Sequence, residues 1–83
     1  MDQAANANEA IWTEGVIEQN RRWMLAYLFA ATGDAGLAED LVQETFAVAY
    51  QKRLSYEAGR PFGAWLRGIA RNLLHSVKAL RRK

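Results

Sequence analysis

Two interruptions set what this chain can fold into. Thr32-Gly33-Asp34 and the stretch from Ser55 through Gly59 to Pro61 break an otherwise continuous helical pattern of apolar residues. Gly33 suits the left-handed position just past a helix end, and Asp34 suits the N-cap of the next helix. Pro61 fits the first turn of another, where its fixed φ is preorganised and its missing N–H costs nothing. The spacing predicts helices over residues 9–31, 35–53 and 61–80, joined by a loop at Leu54–Arg60. Ile17, Met24, Tyr27, Leu28 and Ala31 share one face of the first, and Gly15 weakens its start by about 1 kcal/mol relative to alanine. No segment alternates with the two-residue period of a strand. The fold expected is all-α, a small three- to four-helix bundle over residues 9–83, behind a polar, frayed leader at residues 1–8.

Eighty-three residues support one domain, and a 51% hydrophobic content with three tryptophans argues for a folded core. Zero cysteines exclude disulfides, thiolate metal sites and cysteine catalysis, and the single His75 argues against a histidine-based metal centre. No apolar run reaches the length of a membrane span, and the N-terminus lacks the basic and apolar regions of a secretory signal. With no glycine-rich phosphate loop and no paired carboxylates in an evident cleft, neither an enzyme nor a cofactor is expected. The simplest compartment is the cytoplasm.

The overall charge of +2 conceals two unlike halves. Residues 1–50 carry two basic side chains against eight acids, whereas residues 51–83 carry nine against Glu57 alone. Such polarity suggests two partners of opposite character, one of them a polyanion. An acidic body with a solvated basic tail has the same arithmetic.

At about 100° per residue, the second helix turns Ala38, Leu41, Val42, Thr45, Phe46, Val48 and Ala49 inward. Asp40, Gln43 and Glu44 lie on the far side around Ala47. Carboxylates so placed accept bidentate bonds from a partner's arginines, and the small Ala47 permits close approach. Most exposed acids, however, simply face water.

The third helix sets Phe62, Trp65, Leu66, Ile69, Leu73, Val77 and Leu80 on one broad face. Arg67, Arg71, His75, Lys78 and Arg82 fall within an arc of about 80° on the other. No acid interrupts this stripe, so intrahelical pairing does not neutralise it. Nucleic-acid phosphates, anionic lipid and an acidic protein are all compatible with it, as is a solvated helix end. In the preceding loop, Tyr56 is the aromatic best placed to stack on an unpaired base, with a loop anchor as its structural alternative.

Two segments carry a family resemblance. Asp40-Leu41-Val42-Gln43-Glu44 matches a D-L-x-Q-E core, and Pro61-Phe62 with Trp65-Leu66, Ile69-Ala70 and Arg71-Asn72 matches P-F-x-x-W-L-x-x-I-A-R-N. Together they resemble region 2 of bacterial RNA polymerase sigma factors of the extracytoplasmic-function group, over about Trp12 to Arg82. The resemblance implies that Asp40, Gln43 and Glu44, with Ala47 between them, meet a coiled coil of the largest polymerase subunit. It implies that the loop and third helix recognise the non-template strand of the −10 promoter element. By position Asn72 becomes a base-edge contact. Arg67 and Arg71 become backbone contacts, with Arg60 in the loop a weaker one, and His75 and Lys78 extend the stripe. Trp65 holds the place of a tryptophan near the melting point, but the helical wheel makes it core first and DNA wedge second.

The same resemblance implies an anti-sigma protein as a further partner. It also implies a second helix-turn-helix domain (region 4) for the −35 element, expected to lie outside these 83 residues, with a stand-alone region 2 domain as the alternative. The runner-up is a helical interaction module that applies its basic helix to an acidic protein or an anionic membrane surface.

Overall fold

The computed structural model describes residues 12–57 and 59–81. The leader expected at residues 1–8 and the basic Arg82 lie outside the described residues. Among the described residues every regular element is helical: α1 (Glu14–Thr32), α2 (Ala35–Gln51), a single 3₁₀ turn (Arg53–Ser55) and α3 (Phe62–Arg81). Over the described residues, three helices and no strand make the all-α bundle that the periodicity predicts.

The turn between α1 and α2 forms as its residues dictate. Gly33 takes φ 69° and its N–H donates to the Phe29 carbonyl at 2.7 Å, while the Asp34 carboxylate accepts from the Leu37 N–H at 3.1 Å. The start of α1 differs from expectation. Thr13 is extended, and its hydroxyl accepts from the Val16 N–H at 3.3 Å, so Thr13 is the N-cap and the helix begins at Glu14 rather than near residue 9. Gly15 is tolerated inside the first turn. At the other end of α2 the backbone tightens at Lys52 into the 3₁₀ turn, shortening the helix from the predicted Arg53. Pro61 stands one residue ahead of α3, its carbonyl accepting from the Trp65 N–H at 3.2 Å.

Helix α2 packs against both α1 and α3, which touch each other over a shorter stretch. Met24 and Leu28 of α1, Ala38, Leu41, Val42 and Ala49 of α2, and Leu66, Ala70 and Leu74 of α3 form the buried core. Thr45 is the one polar side chain buried among the described residues, and its hydroxyl donates to the Leu41 carbonyl at 2.7 Å, which removes most of the burial cost. The inward face of α2 is the predicted one. On α3 the buried line is Leu66, Ala70 and Leu74, so the broad face predicted through Leu73, Val77 and Leu80 is rotated. Leu73 and Val77 are half-buried at its edge, and Leu80 is 71% exposed because the helix runs past the end of its neighbours.

Aromatic rings lock one end of the bundle. Trp12 meets Tyr50 and Phe62 edge-on at 5.3 and 5.5 Å, and Phe62 meets Tyr56 and Trp65 at 5.6 and 5.9 Å. The cluster joins the start of α1, the end of α2 and the start of α3, so α1 and α3 run parallel and α2 antiparallel to both. It also fixes where the loop re-enters the fold.

Candidate polymerase and nucleic-acid faces

Asp40, Gln43, Glu44 and Ala47 are all exposed along α2, while Leu41, between them in sequence, is 5% exposed. Neither Asp40 nor Glu44 forms an ion pair among the described residues, so both carboxylates are available to a cationic partner. Next to them lies a feature that the helical wheels missed. An open groove of about 380 Å³ runs between α1 and α2, lined by Arg22, Leu25, Ala26, Phe29, Ala35 and Glu39. A smaller recess lined by Arg21, Leu25, Glu39, Val42 and Gln43 extends it to the acidic patch. Leu25 and Phe29, one turn apart, were the available signal, but they flank the core stripe of α1 and a single-helix wheel assigns them no partner. Arg21 is held at this edge by Glu18, with bonds of 3.0 and 3.2 Å to its carboxylate. The hydrogen bond from Arg21 lowers the Glu18 pKa from its ordinary value, and the same bond raises that of Arg21.

On α3, Arg67, Arg71, Asn72, His75 and Lys78 are exposed. None of the four basic side chains meets a carboxylate within ion-pair distance among the described residues. Arg67 has a different partner: its guanidinium carbon lies 5.5 Å from the centre of the Trp23 ring on α1. The stripe is therefore uncompensated charge on a rigid element, suited to a chain of phosphates.

The loop requires one correction. Tyr56 is 7% exposed, packed against Trp65 at 4.9 Å and Phe62 at 5.6 Å, and its hydroxyl donates to the Arg60 backbone carbonyl. It is the loop's anchor, and in this conformation its ring is not open to a base. Trp65 is half-buried as the wheel predicts, yet it also lines a surface recess of about 150 Å³ with Arg60, Pro61 and Ala64. Arg60 is exposed beside it, 3.9 Å from Glu57, a loose surface pair of little energetic weight. The exposed apolar residue of the loop is Leu54, at 86%.

No group of three or more His, Cys, Asp or Glu side chains among the described residues is placed to hold a metal ion. No helix among them is long and apolar enough to cross a membrane.

Residues 16–83 match the family profile described as sigma-70 region 2. The chain is 37% identical over 71 residues to the ECF RNA polymerase sigma factor SigL of Mycobacterium tuberculosis, covering 84% of this chain and 40% of that protein. It is 38% identical over 74 residues to the ECF RNA polymerase sigma factor BldN of Streptomyces coelicolor, covering 87% of this chain and 28% of that protein. A third relative, the ECF RNA polymerase sigma factor SigF of Caulobacter vibrioides, is 30% identical over 71 residues, with 86% and 40% covered. The chain thus spans well under half the length of these curated relatives. No solved structure matches it. The two motifs, the three-helix architecture and these matches lead to one conclusion: the chain belongs to the sigma-70 region 2 family.

Proposed function

We propose that this chain docks on core RNA polymerase through the acidic face of α2 and holds the −10 promoter element during transcription initiation. One observation carries the reading. Two exposed and uncompensated faces of opposite sign, Asp40–Gln43–Glu44 and Arg67–Arg71–His75–Lys78, lie on separate helices of one small core. The relatives' names, RNA polymerase sigma factors, supply the partners that fit. The acidic face meets basic side chains of the largest subunit's coiled coil, with Ala47 admitting the partner helix. The basic face of α3 tracks the phosphates of the non-template strand, and Asn72 reads a base edge through its amide.

Base capture falls to the recess of Arg60, Pro61, Ala64 and Trp65, because Tyr56 is committed to the loop. Trp65 offers the ring, and stacking on an aromatic contributes about 1–3 kcal/mol per base. Unstacking a base costs a few kcal/mol, least when it is already unpaired, so the polymerase supplies the opening of the duplex. The chemistry of RNA synthesis also belongs to the polymerase, and this chain acts there without a cofactor of its own. Its place of work is the cytoplasm, and an anti-sigma protein covering the two faces would keep both partners away. Membership of the family favours these partners over an anionic membrane.

Binding of a labelled single-stranded oligonucleotide across a salt series tests the nucleic-acid half. Arg67→Ala with Arg71→Ala should weaken binding and reduce the slope of log affinity against log salt by about 1.4, at roughly 0.7 for each phosphate left without its arginine. An unchanged slope would move the DNA surface off α3.

A further inference from the structure

Arg67 is the member of the basic stripe that another helix holds. Its guanidinium carbon lies 5.5 Å from the Trp23 ring centre, within the range of a cation–π contact. Trp23 is itself fixed. Its indole N–H donates to Asn20 Oδ1 at 2.8 Å, and Asn20 Nδ2 donates to the Val16 carbonyl at 2.8 Å. Both ends of the Asn20 amide are thereby engaged, which sets the side chain in one orientation. The opposing helix is shaped to match: a Cβ on Gly63 would lie 3.3 Å from Asn20 Oδ1, tighter than ordinary contact. Because α1 and α3 run parallel, Gly63 beside Asn20 brings Arg67 beside Trp23 one turn later.

We infer that Trp23, oriented by Asn20, is a positioning residue that sets the Arg67 guanidinium for its nucleic-acid contact. The inference rests on the proposed role of the α3 face and adds α1 to it. A guanidinium over a ring keeps its in-plane N–H donors free, so the same group can still grip a phosphate with two bonds. A free arginine gives up about 2 kcal/mol of rotamer entropy when it is immobilised. A ring that restricts it beforehand reduces that loss at the moment of binding. Trp23 itself need not touch the nucleic acid.

A double-mutant cycle on the 83-residue chain separates this role from general packing. Affinity for a short labelled single-stranded oligonucleotide is measured by anisotropy at one moderate salt concentration, well below each variant's unfolding midpoint. Trp23→Leu should weaken binding about two- to fivefold, the span of an exposed cation–π contact, and Trp23→Phe should recover most of it. Asn20→Ala, which leaves the ring but frees it, should weaken binding in the same direction. In an Arg67→Ala background, neither Trp23→Leu nor Asn20→Ala should have any further effect. Equal losses in both backgrounds, or full affinity in Trp23→Leu, would overturn the positioning role while leaving the α3 surface standing. Arg67→Ala without effect would overturn the inference, and an equally silent Arg67→Ala/Arg71→Ala would overturn that surface with it.

Discussion

The hydroxyl of Tyr56 donates to the backbone carbonyl of Arg60, closing the loop between α2 and α3 on itself. The ring packs against Trp65 at 4.9 Å, so the residue that the sequence offers to a base is the one that fixes the loop's shape. Removing the hydroxyl leaves a carbonyl without its partner at the rim of the core. Tyr56→Phe should therefore lower stability by about 1–2 kcal/mol. For a domain of this size that is roughly 4–8 °C in Tm for each kcal/mol. Single-strand affinity measured on the folded variant should change little, because the proposed function gives the stacking role to Trp65 rather than to the buried Tyr56.

Gly33 occupies φ 69° at the end of α1, a region that a side chain with Cβ enters at a cost. Gly33→Ala should destabilise the chain by about 1–2 kcal/mol in chemical denaturation, although nothing lies within 4 Å of the added carbon. Asp34→Ala should cost about 1 kcal/mol more by removing the cap on Leu37.

Leu66 and Leu80 distinguish the observed buried line of α3 from the predicted one. Leu66→Ala should cost about 2–5 kcal/mol, since the side chain is fully buried. Leu80→Ala should stay within about 0.5 kcal/mol, as an exposed substitution does. Comparable losses at the two positions would show that the end of α3 is covered.

The Glu18–Arg21 pair gives a small acid dependence of known sign. The folded pKa of Glu18 is lowered from the ordinary 4.5, chiefly by the hydrogen bond from Arg21, so the stabilisation is present above that value and is lost as pH falls through the folded one. Both groups are exposed, so salt screens the effect. Glu18→Gln should lower Tm slightly at neutral pH and low salt, and the difference from the parent should shrink in acid.

Much of this was legible in the sequence, and the remainder has identifiable physical causes. Gly33 and Asp34 marked a turn because their backbone and capping chemistry is local. The α2 faces were readable because one helix buried on two sides shows its whole pattern. Thr13 was missed as a cap because its hydroxyl bond to the Val16 N–H, which caps the helix there, leaves no mark in the apolar pattern. The buried line of α3 depends on where α2 lies, and residues 66, 70 and 74 became central through that packing. The approach of Arg67 to Trp23 and the groove at Leu25 and Phe29 join different helices, so neither shows on any single wheel. Tyr56 was placed correctly in the loop, but its orientation was set by Phe62 and Trp65 across the fold.

The central claim is that α2 carries the polymerase contact, and a direct binding titration against core RNA polymerase tests it. Asp40→Arg with Glu44→Arg reverses two exposed charges without touching the core, so helix content and Tm should stay close to those of the parent. The parent chain should bind core polymerase, and the reversed variant should lose that binding. Undiminished binding by a folded Asp40→Arg/Glu44→Arg variant would contradict the account.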